Sequence, residues 1–400
     1  MFKSIRITIQ YVCLFWAICH WVGSGPILIN LSLPRNLSQS ELHSFNERLY
    51  HWYHLHQRDL PWRSETDPYL IWVSETILQQ TRVAQGLDYY KRFVARFPNV
   101  ISLAEAHEDE LLKVWEGLGY YSRARNMHTA AQTIVSIHHG VFPDKYDDIL
   151  NLKGVGEYTA AAVASIAFGL PRAVVDGNVS RVMARYFGIN DAINVAAGHK
   201  SVRQAADDLL QSAENRIHPG IHNQAVMELG ALVCTPANPS CAICPVADGC
   251  YANMNNMVGS LPVKIRNLKR MVRHFCFLVI EDNGSFYLEK RTSQGIWKNL
   301  YQFPLVETES AMTVEEVLTL PEVKELVSGP DSAIVNVSDI YKHVLTHRDI
   351  LARFVYVQVS DCQLSGQNFF KVNKQEISNF AFPVLITNYL RKSGFLTDGR

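Results

Sequence analysis

Four of the eight cysteines in this chain, Cys234, Cys241, Cys244 and Cys250, fall within seventeen residues at the spacing Cys-x6-Cys-x2-Cys-x5-Cys. Thiolates brought together in fours hold either zinc or an iron–sulfur cluster. Zinc sites usually carry two separated Cys-x2-Cys pairs and this run has one, so an iron–sulfur cluster is the favoured reading, with zinc and simple buried thiols as alternatives. A second pattern, Lys153-Gly154-Val155-Gly156, stands between a short helical stretch at Asp147 to Leu152 and an alanine-rich one at Glu157 to Phe168. The glycines permit positive φ and close approach. Amides opening the next helix then point outward, where a phosphate accepts them at the positive end of the dipole. Gly154, Val155 and Gly156 are therefore phosphate candidates, with a bare helix–helix turn as the competing reading.

Two carboxylates complete the set. Asp176 precedes the helical run Val179 to Phe187, where it reads as an N-cap whose ionised form the helix dipole favours. Glu75 has Ile71, Trp72 and Leu78 three or four residues away, so it faces an apolar neighbourhood. Desolvation there is expected to raise its pKa, as suits a general acid; an exposed helical glutamate is the plainer reading.

The elements that must position these residues divide the chain in two. From Leu42 to about Tyr251 apolar residues recur at helical spacing in Ile101 to Trp115, Met127 to His138 and Ser201 to Gln211. Asp67-Pro68 has the form of a cap followed by proline at the first helical position, and predicts a helix from Tyr69 to Tyr90. Between Tyr251 and His274 the residues Lys264, Arg266, Lys269, Arg270 and Arg273 occur with no acid among them, which reads as a basic linker near phosphates or as a solvated tether. Short strands follow: Phe275 to Glu281, a turn at Asp282-Asn283-Gly284, then Ser285 to Lys290. The expected fold class is thus an all-α region carrying a cysteine loop at 234–250, within 35–255, then a linker at 256–272 and an α+β domain at 273–400.

Lys plus Arg and Asp plus Glu are both 38, so no whole-molecule field steers the protein to nucleic acid; any such contact comes from local patches. Clustered cysteines in a chain of 400 residues argue against a disulfide framework. Residues 1–34 pull the other way. An uncharged stretch from Ile7 to Pro34 follows Lys3 and Arg6, and reads as a mitochondrial presequence, a gene-start artefact, or a secretory or membrane signal.

Taken together, the motifs resemble the helix-hairpin-helix DNA glycosylases with an iron–sulfur loop, and within them most closely the MutY adenine glycosylase family. The matching pieces are Leu60-Pro61-Trp62-Arg63, Trp72-Val73-Ser74-Glu75 with Leu78-Gln79-Gln80-Thr81, Gly117-Leu118-Gly119-Tyr120-Tyr121, Gly154 to Thr159, Asp176-Gly177-Asn178-Val179, and Met227-Glu228-Leu229-Gly230 leading into the cysteines. They span residues 42 to 255 in the family's order, and a weaker match runs to about residue 395.

The resemblance implies roles. Glu75 would protonate adenine at N7, Asp176 would stabilise an oxocarbenium-like sugar, and a 4Fe-4S cluster would sit on Cys234, Cys241, Cys244 and Cys250. Tyr158 stands where lyase-competent relatives carry an amine nucleophile, so a monofunctional enzyme is expected; a packed core aromatic is its plainer reading. Gln80 and Tyr120 would wedge into the duplex, with Thr81 near the lesion base, although Tyr120 read alone resembles a core residue. Trp62, Arg63, Glu228 and Asn178 would belong to the substrate site. The C-terminal domain is similar to the Nudix fold, with Gly295-Ile296-Trp297 to Phe303-Pro304 matching a lesion-strand loop. The hydrolase box is missing, Glu315-Glu316 being the only adjacent pair of glutamates in that region, so a recognition module is expected. The segment Tyr341 to His347 matches the family's reader of 8-oxoguanine, with Leu345 where the family has Phe and Thr346 where it has Ser. Threonine keeps the hydroxyl, whereas loss of the Phe puts packing there, and the strength of lesion preference, in question.

The expected partner is double-stranded DNA carrying A:8-oxoguanine or A:G mispairs, bound by a monomer, in the nucleus or mitochondrion; repair and replication proteins are not readable. Two rivals stay open: a glycosylase for another base, such as thymine opposite guanine, and a lesion-binding protein without catalysis.

Overall fold

The computed structural model describes residues 35–396 apart from 214–216, 266–269, 322, 325–331 and 361–367. The readings made for residues 1–34, and for Arg266 and Lys269 of the linker, lie outside the described residues. No helix among the described residues is long and apolar enough to cross a membrane.

Helix α1 (Gln39–His56) begins in a capping box, with the Ser38 hydroxyl accepting from the Glu41 amide and the Glu41 carboxylate accepting from Ser38 N–H. Helix α2 (Pro68–Leu78) starts at Asp67, as expected. It does not run to Tyr90. Residues 79–82 form a turn in which Gln80 adopts φ +58°, and α3 (Val83–Arg96) follows. The physical reason is a long-range one: the carbonyls of Thr76 and Gln79 accept from the Arg123 guanidinium at 2.7 and 2.6 Å, so the last turn of α2 finds its partners outside the helix. The stretch Ile101 to Trp115 is likewise divided, into α4 (Val100–Ala104) and α5 (Glu108–Val114), each with its own cap at Asn99 and His107. Helices α6 (Ser122–Ile137), α7 (Tyr146–Leu150), α8 (Glu157–Phe168), α9 (Gly177–Phe187), α10 (Ala196–Ser212), α11 (Pro219–Leu232) and α12 (Tyr251–Met254) complete the helical part.

These helices pack around two cores. One gathers Trp72, Phe93, Trp115, Ile134 and Ala160 from α2 to α8; the other gathers Phe45, Leu49, Val182, Phe187, Leu209 and Leu229 from α1 and α9 to α11. Glu75 and Tyr158 belong to elements of the first core and Asp176 and Glu228 to elements of the second. The candidate site therefore lies at the seam.

The second part is an eight-stranded mixed sheet in the order β3-β2-β1-β7-β5, with β4 on β1, β6 on β7 and β8 on β2. Strand β1 (Met271–Asp282) turns through Asn283 (φ +51°) and Gly284 (φ +79°) into β2 (Ser285–Lys290). Left-handed residues at both central positions match the twist of a two-residue hairpin. Then come β3 (Tyr301–Gln302), β4 (Leu305–Thr308), α13 (Val314–Thr319), β5 (Ala333–Val337), β6 (Tyr341–Val344), β7 (Arg348–Val359), β8 (Phe369–Asn373) and α14 (Val384–Lys392). Central strands β1 and β7 are parallel. Alternation along β1 sends Phe275, Phe277 and Val279 to the core that holds Leu385 and Tyr389 of α14, and Cys276, Leu278 and Ile280 to that of Val314 and Val317 of α13.

Two expectations are corrected here. Strand β1 starts at Met271, inside the expected 256–272 linker, and its basic residues have partners: Arg273 pairs with Glu307, and Arg270 lies 3.6 Å from Asp349. Only Lys264 of the described linker cations is both exposed and outside these pairs. Glu316 of the adjacent acidic pair closes a capping box with Thr313.

Helical part and sheet dock through polar contacts. Glu116 accepts from Phe382 N–H at 3.2 Å and from the Thr387 hydroxyl at 3.0 Å. Asn299 donates to Glu108 at 2.6 Å, Tyr301 to Asp109 at 2.9 Å, and Arg125 to the Lys298 carbonyl at 2.9 Å. Lys290 pairs with Asp109 as well.

Candidate active site

Glu75 sits within α2 with 7% of its surface exposed, and the Tyr158 hydroxyl, at the second position of α8, donates to its Oε2. Burial raises the Glu75 carboxyl above its ordinary range; Tyr158 and Arg63 oppose the rise, and Asp176 adds to it. Burial and then the charges of Glu75 and Asp176 push the Tyr158 phenol up too, so it serves as a donor. Asp176 caps α9, its Oδ1 accepting from Val179 N–H at 2.6 Å and its Oδ2 from the Asn178 amide at 2.7 Å. Capping was legible in the sequence. The ionisation behaviour was not, because burial outweighs those two bonds and raises the Asp176 carboxyl. A carboxylate kept in so poorly solvated a place is strongly disposed to meet a developing positive charge. Asn178 thereby positions Asp176, and is itself held by Arg181 at 2.9 Å. Gly230 must lack a side chain, since a Cβ there would stand 2.7 Å from the Asn178 Cβ.

Beside this pair, Glu228 of α11 is fully buried. Its carboxylate accepts from Arg58 N–H at 3.0 Å, from Arg58 Nε at 2.8 Å and Nη2 at 2.7 Å, and from Arg63 Nη2 at 2.5 Å. Burial alone would raise it, but the Arg58 hydrogen bonds and the charges of both arginines hold it below the ordinary carboxylate range. Arg58 was missed by the sequence reading. Its only signal was its place two residues before the Leu60 to Arg63 motif, because the partner lies 170 positions away. Arg63 touches Glu228 and also acts through its charge on Glu75 and Tyr158, so it links the two groups. Trp62 is packed into the core, edge-on to Tyr90 with ring centroids 5.2 Å apart, and offers a wall rather than a polar contact.

A second gathering forms between the helical part and the sheet. Gln80 (φ +58°) and Tyr120 (φ +46°) are both held in the left-handed region that side chains avoid, and Tyr120 is 48% exposed. That exposure, in a turn reached through Gly117 and Gly119, corrects the core reading of Tyr120. The hydroxyls of Tyr120 and Thr346 hydrogen bond at 2.9 Å, joining the two expected DNA-reading segments directly. Thr346 and His347 lie exposed on the turn between β6 and β7, Leu345 is half-buried, and all three line a cleft of about 670 Å³ with Gly119, Tyr120 and Trp297. Thr81 is half-buried in the turn after α2.

At the hairpin, Gly154 has φ +77°, and a Cβ there would lie 2.5 Å from the Asn126 Cβ. Gly156 opens α8 with no side chain capping it, which leaves the first-turn amides for an outside acceptor. Val155 is a correction: its side chain is buried and its N–H donates to the Leu152 carbonyl at 3.0 Å, closing the turn instead of facing solvent.

Cys234, Cys241, Cys244 and Cys250 line one small cavity with Arg185, whose Nη1 donates to the Cys234 Sγ at 3.3 Å. Burial pushes the Cys244 thiol up to about 12, and the charges of the other three add to the rise, so that thiol ionises readily only beside a cation. Four soft sulfur donors facing one cavity fit an iron–sulfur cluster. The loop is tied to the Asp176 helix: Arg181 donates to the Cys234 carbonyl at 2.6 Å and Arg185 to that of Thr235 at 2.8 Å, both from α9, which Asp176 caps.

The family model of the HhH-GPD superfamily base excision DNA repair proteins matches residues 73–211, and that of the NUDIX domain matches residues 275–392. Fold and site thus define a class, a helix-hairpin-helix base-excision glycosylase joined to a Nudix-like domain. An adenine DNA glycosylase of Buchnera aphidicola subsp. Baizongia pistaciae is 31% identical over 349 residues, which is 85% of this chain and 94% of that one. The adenine DNA glycosylase of Homo sapiens is 41% identical over 222 residues, covering 53% of this chain and 40% of its own. A solved thermostable thymine-DNA glycosylase is 28% identical, with a TM-score of 0.49, over 54% of this chain and 98% of that one. The chain belongs to the adenine DNA glycosylase family.

Proposed function

We propose that this chain is a DNA N-glycosylase that hydrolyses adenine from duplex DNA where it stands opposite 8-oxoguanine or guanine. The observation that carries the reading is the buried Glu75, hydrogen bonded to Tyr158 and close enough to Asp176 to feel its charge, at the seam between two cores. A carboxyl with raised pKa holds its proton for adenine N7. As the C1′–N9 bond breaks, its electron pair leaves with the protonated base and the sugar becomes cationic, facing the Asp176 carboxylate. Water adds to C1′ and gives up a proton, which restores Glu75. Arg58 and Arg63 fix Glu228 as an acceptor for the exocyclic amine of the base.

Tyr158 supplies a hydroxyl where a lyase needs an amine, which supports base removal without strand cleavage. Thr346 and His347, on the cleft shared with Tyr120, support reading of the opposite lesion base. Cys234, Cys241, Cys244 and Cys250 are proposed to hold a 4Fe-4S cluster. When bound, such a cluster supplies four iron–thiolate bonds that cross-link the loop. Arg181 and Arg185 carry that rigidity into the helix capped by Asp176.

The test uses the full chain on duplexes carrying one adenine opposite 8-oxoguanine, guanine or thymine, and on one carrying a T·G mispair, each analysed with and without alkali. Breaks appearing only after alkali, mainly opposite 8-oxoguanine and guanine, are expected. Breaks without alkali would remove the monofunctional reading. Tight binding without product, or release of thymine from T·G instead, would overturn the adenine reading. A broad visible absorption that bleaches on cluster loss is expected of the purified protein, and zinc without colour would overturn the cluster.

A further inference from the structure

We propose that Arg123 is a positioning residue that joins the turns bearing Gln80 and Tyr120 into one rigid unit, so that both side chains enter a duplex together. The proposal rests on reading those two residues as the wedge. Arg123 lies in the first turn of α6, and its planar guanidinium faces both turns at once. Nη1 donates to the carbonyls of Thr76 at 2.7 Å and Gln79 at 2.6 Å, at the open end of α2, while Nη2 reaches the Gly119 carbonyl at 3.4 Å. The same group lies over the rings of Trp115 and Tyr120, at 5.3 and 5.6 Å from their centroids. One cation thus holds the residue before Gln80, the residue before Tyr120, and Tyr120 itself.

The two turns need holding. Gln80 and Tyr120 have side chains yet sit at φ +58° and +46°, a conformation that persists only where surrounding contacts over-determine it. Packing alone does not explain a guanidinium there. Its Nε is buried and makes no hydrogen bond among the described residues, so the fold keeps a charge that it does not fully satisfy. Lysine cannot substitute, because one ammonium has neither the fork that reaches both sets of carbonyls nor the flat face that stacks on Tyr120.

The experiment compares single-turnover excision on two duplexes: adenine opposite 8-oxoguanine, and adenine opposite an abasic-site analogue, where there is no partner base to part from. Arg123→Met and Arg123→Lys are measured beside Gln80→Ala and Tyr120→Ser, with a thermal melt of each. Arg123→Met is expected to slow the paired substrate by about 100-fold and the abasic one by less than about 5-fold, since misplaced wedges penalise base extrusion rather than bond cleavage. Arg123→Lys, which keeps charge and length, is expected to show the same selectivity with a loss of about 10-fold, and carries the test alone if the Met variant does not fold. Equal losses on both duplexes, or a Lys variant indistinguishable from the parent, would overturn the proposal. If Gln80→Ala and Tyr120→Ser also fail to distinguish the duplexes, the wedge reading itself falls. If they distinguish them and the Arg123 variants do not, Arg123 alone is wrong.

Discussion

The carboxyl of Glu75 has its proton affinity raised chiefly by burial, and under the proposed mechanism this links catalysis to stability. A carboxyl whose pKa is higher folded than unfolded binds its proton more tightly in the native state. Its stabilising contribution is complete below the unfolded value and is lost as pH rises through the folded one. Glu75→Gln keeps an acceptor for the Tyr158 hydroxyl but cannot donate the proton, so excision should fall by roughly 10²–10⁴-fold. The same variant should melt higher than the parent at pH 8, with the gap shrinking toward pH 4, as a calorimetric series would show. Excision by the parent should decline as pH rises through the folded value, for the same reason. Glu228 has the opposite sign. Its carboxyl is buried but held low by Arg58 and Arg63, so its contribution is present above the unfolded carboxylate pKa and is lost as pH falls through the folded value. Arg58→Met strips two side-chain hydrogen bonds from a fully buried charge and should cost about 3 kcal/mol at neutral pH, less in acid, measured as a lowered denaturation midpoint.

At the scale of elements, the hairpin from α7 to α8, the expected phosphate site, takes its shape from two glycines. Gly154 is obligatory on two independent counts, a positive φ and the Asn126 side chain against it, while Gly156 leaves the start of α8 open. Gly154→Ala should destabilise by about 1–2 kcal/mol from the backbone conformation alone. If the hairpin holds phosphate as expected, the variant should also weaken binding to matched and mismatched duplexes alike, since such a contact carries no base information. Titrations on the two duplexes check this, and a loss confined to the mismatched one would contradict it. Helix α9 makes a different kind of unit: its cap is Asp176, the proposed catalytic carboxylate, and its body reaches the cysteine loop through Arg181 and Arg185, so loop and carboxylate are expected to fail together.

At the scale of the molecule, the helical part and the sheet are held in register by charged side chains on α5 and the turn after it, Glu108, Asp109 and Glu116, against the loops before β3 and α14. That docking brings Thr346 to Tyr120 and forms the cleft between them. Thr346→Val keeps the shape and removes the hydroxyl. One hydrogen bond's net worth predicts that the preference for 8-oxoguanine over guanine falls by about 5-fold, with excision opposite guanine little changed. Single-turnover rates on the two duplexes decide it, and an unchanged ratio would place the reading of the lesion elsewhere.

The amino-acid sequence by itself determined the features whose causes are local. The hairpin glycines, the helix at Glu157 to Phe168, the Asp176 cap, the hairpin at Asn283-Gly284 and the cysteine spacing all act within a few residues of chain, where propensity and turn chemistry suffice. The seven motifs between Leu60 and Cys250, taken in order, carried the family. Tertiary structure decided what depends on partners far along the chain. Helix α2 ends at Leu78 because Arg123 takes its carbonyls, and no pattern in Tyr69 to Tyr90 records that. Arg58 matters because Glu228 lies against it, Val155 turns inward because Leu152 accepts its amide, and Asp176 is harder to ionise than a cap in water because two cores bury it. Hydrogen bonds and desolvation of this kind are set by which surfaces meet, and only the folded chain brings those surfaces together.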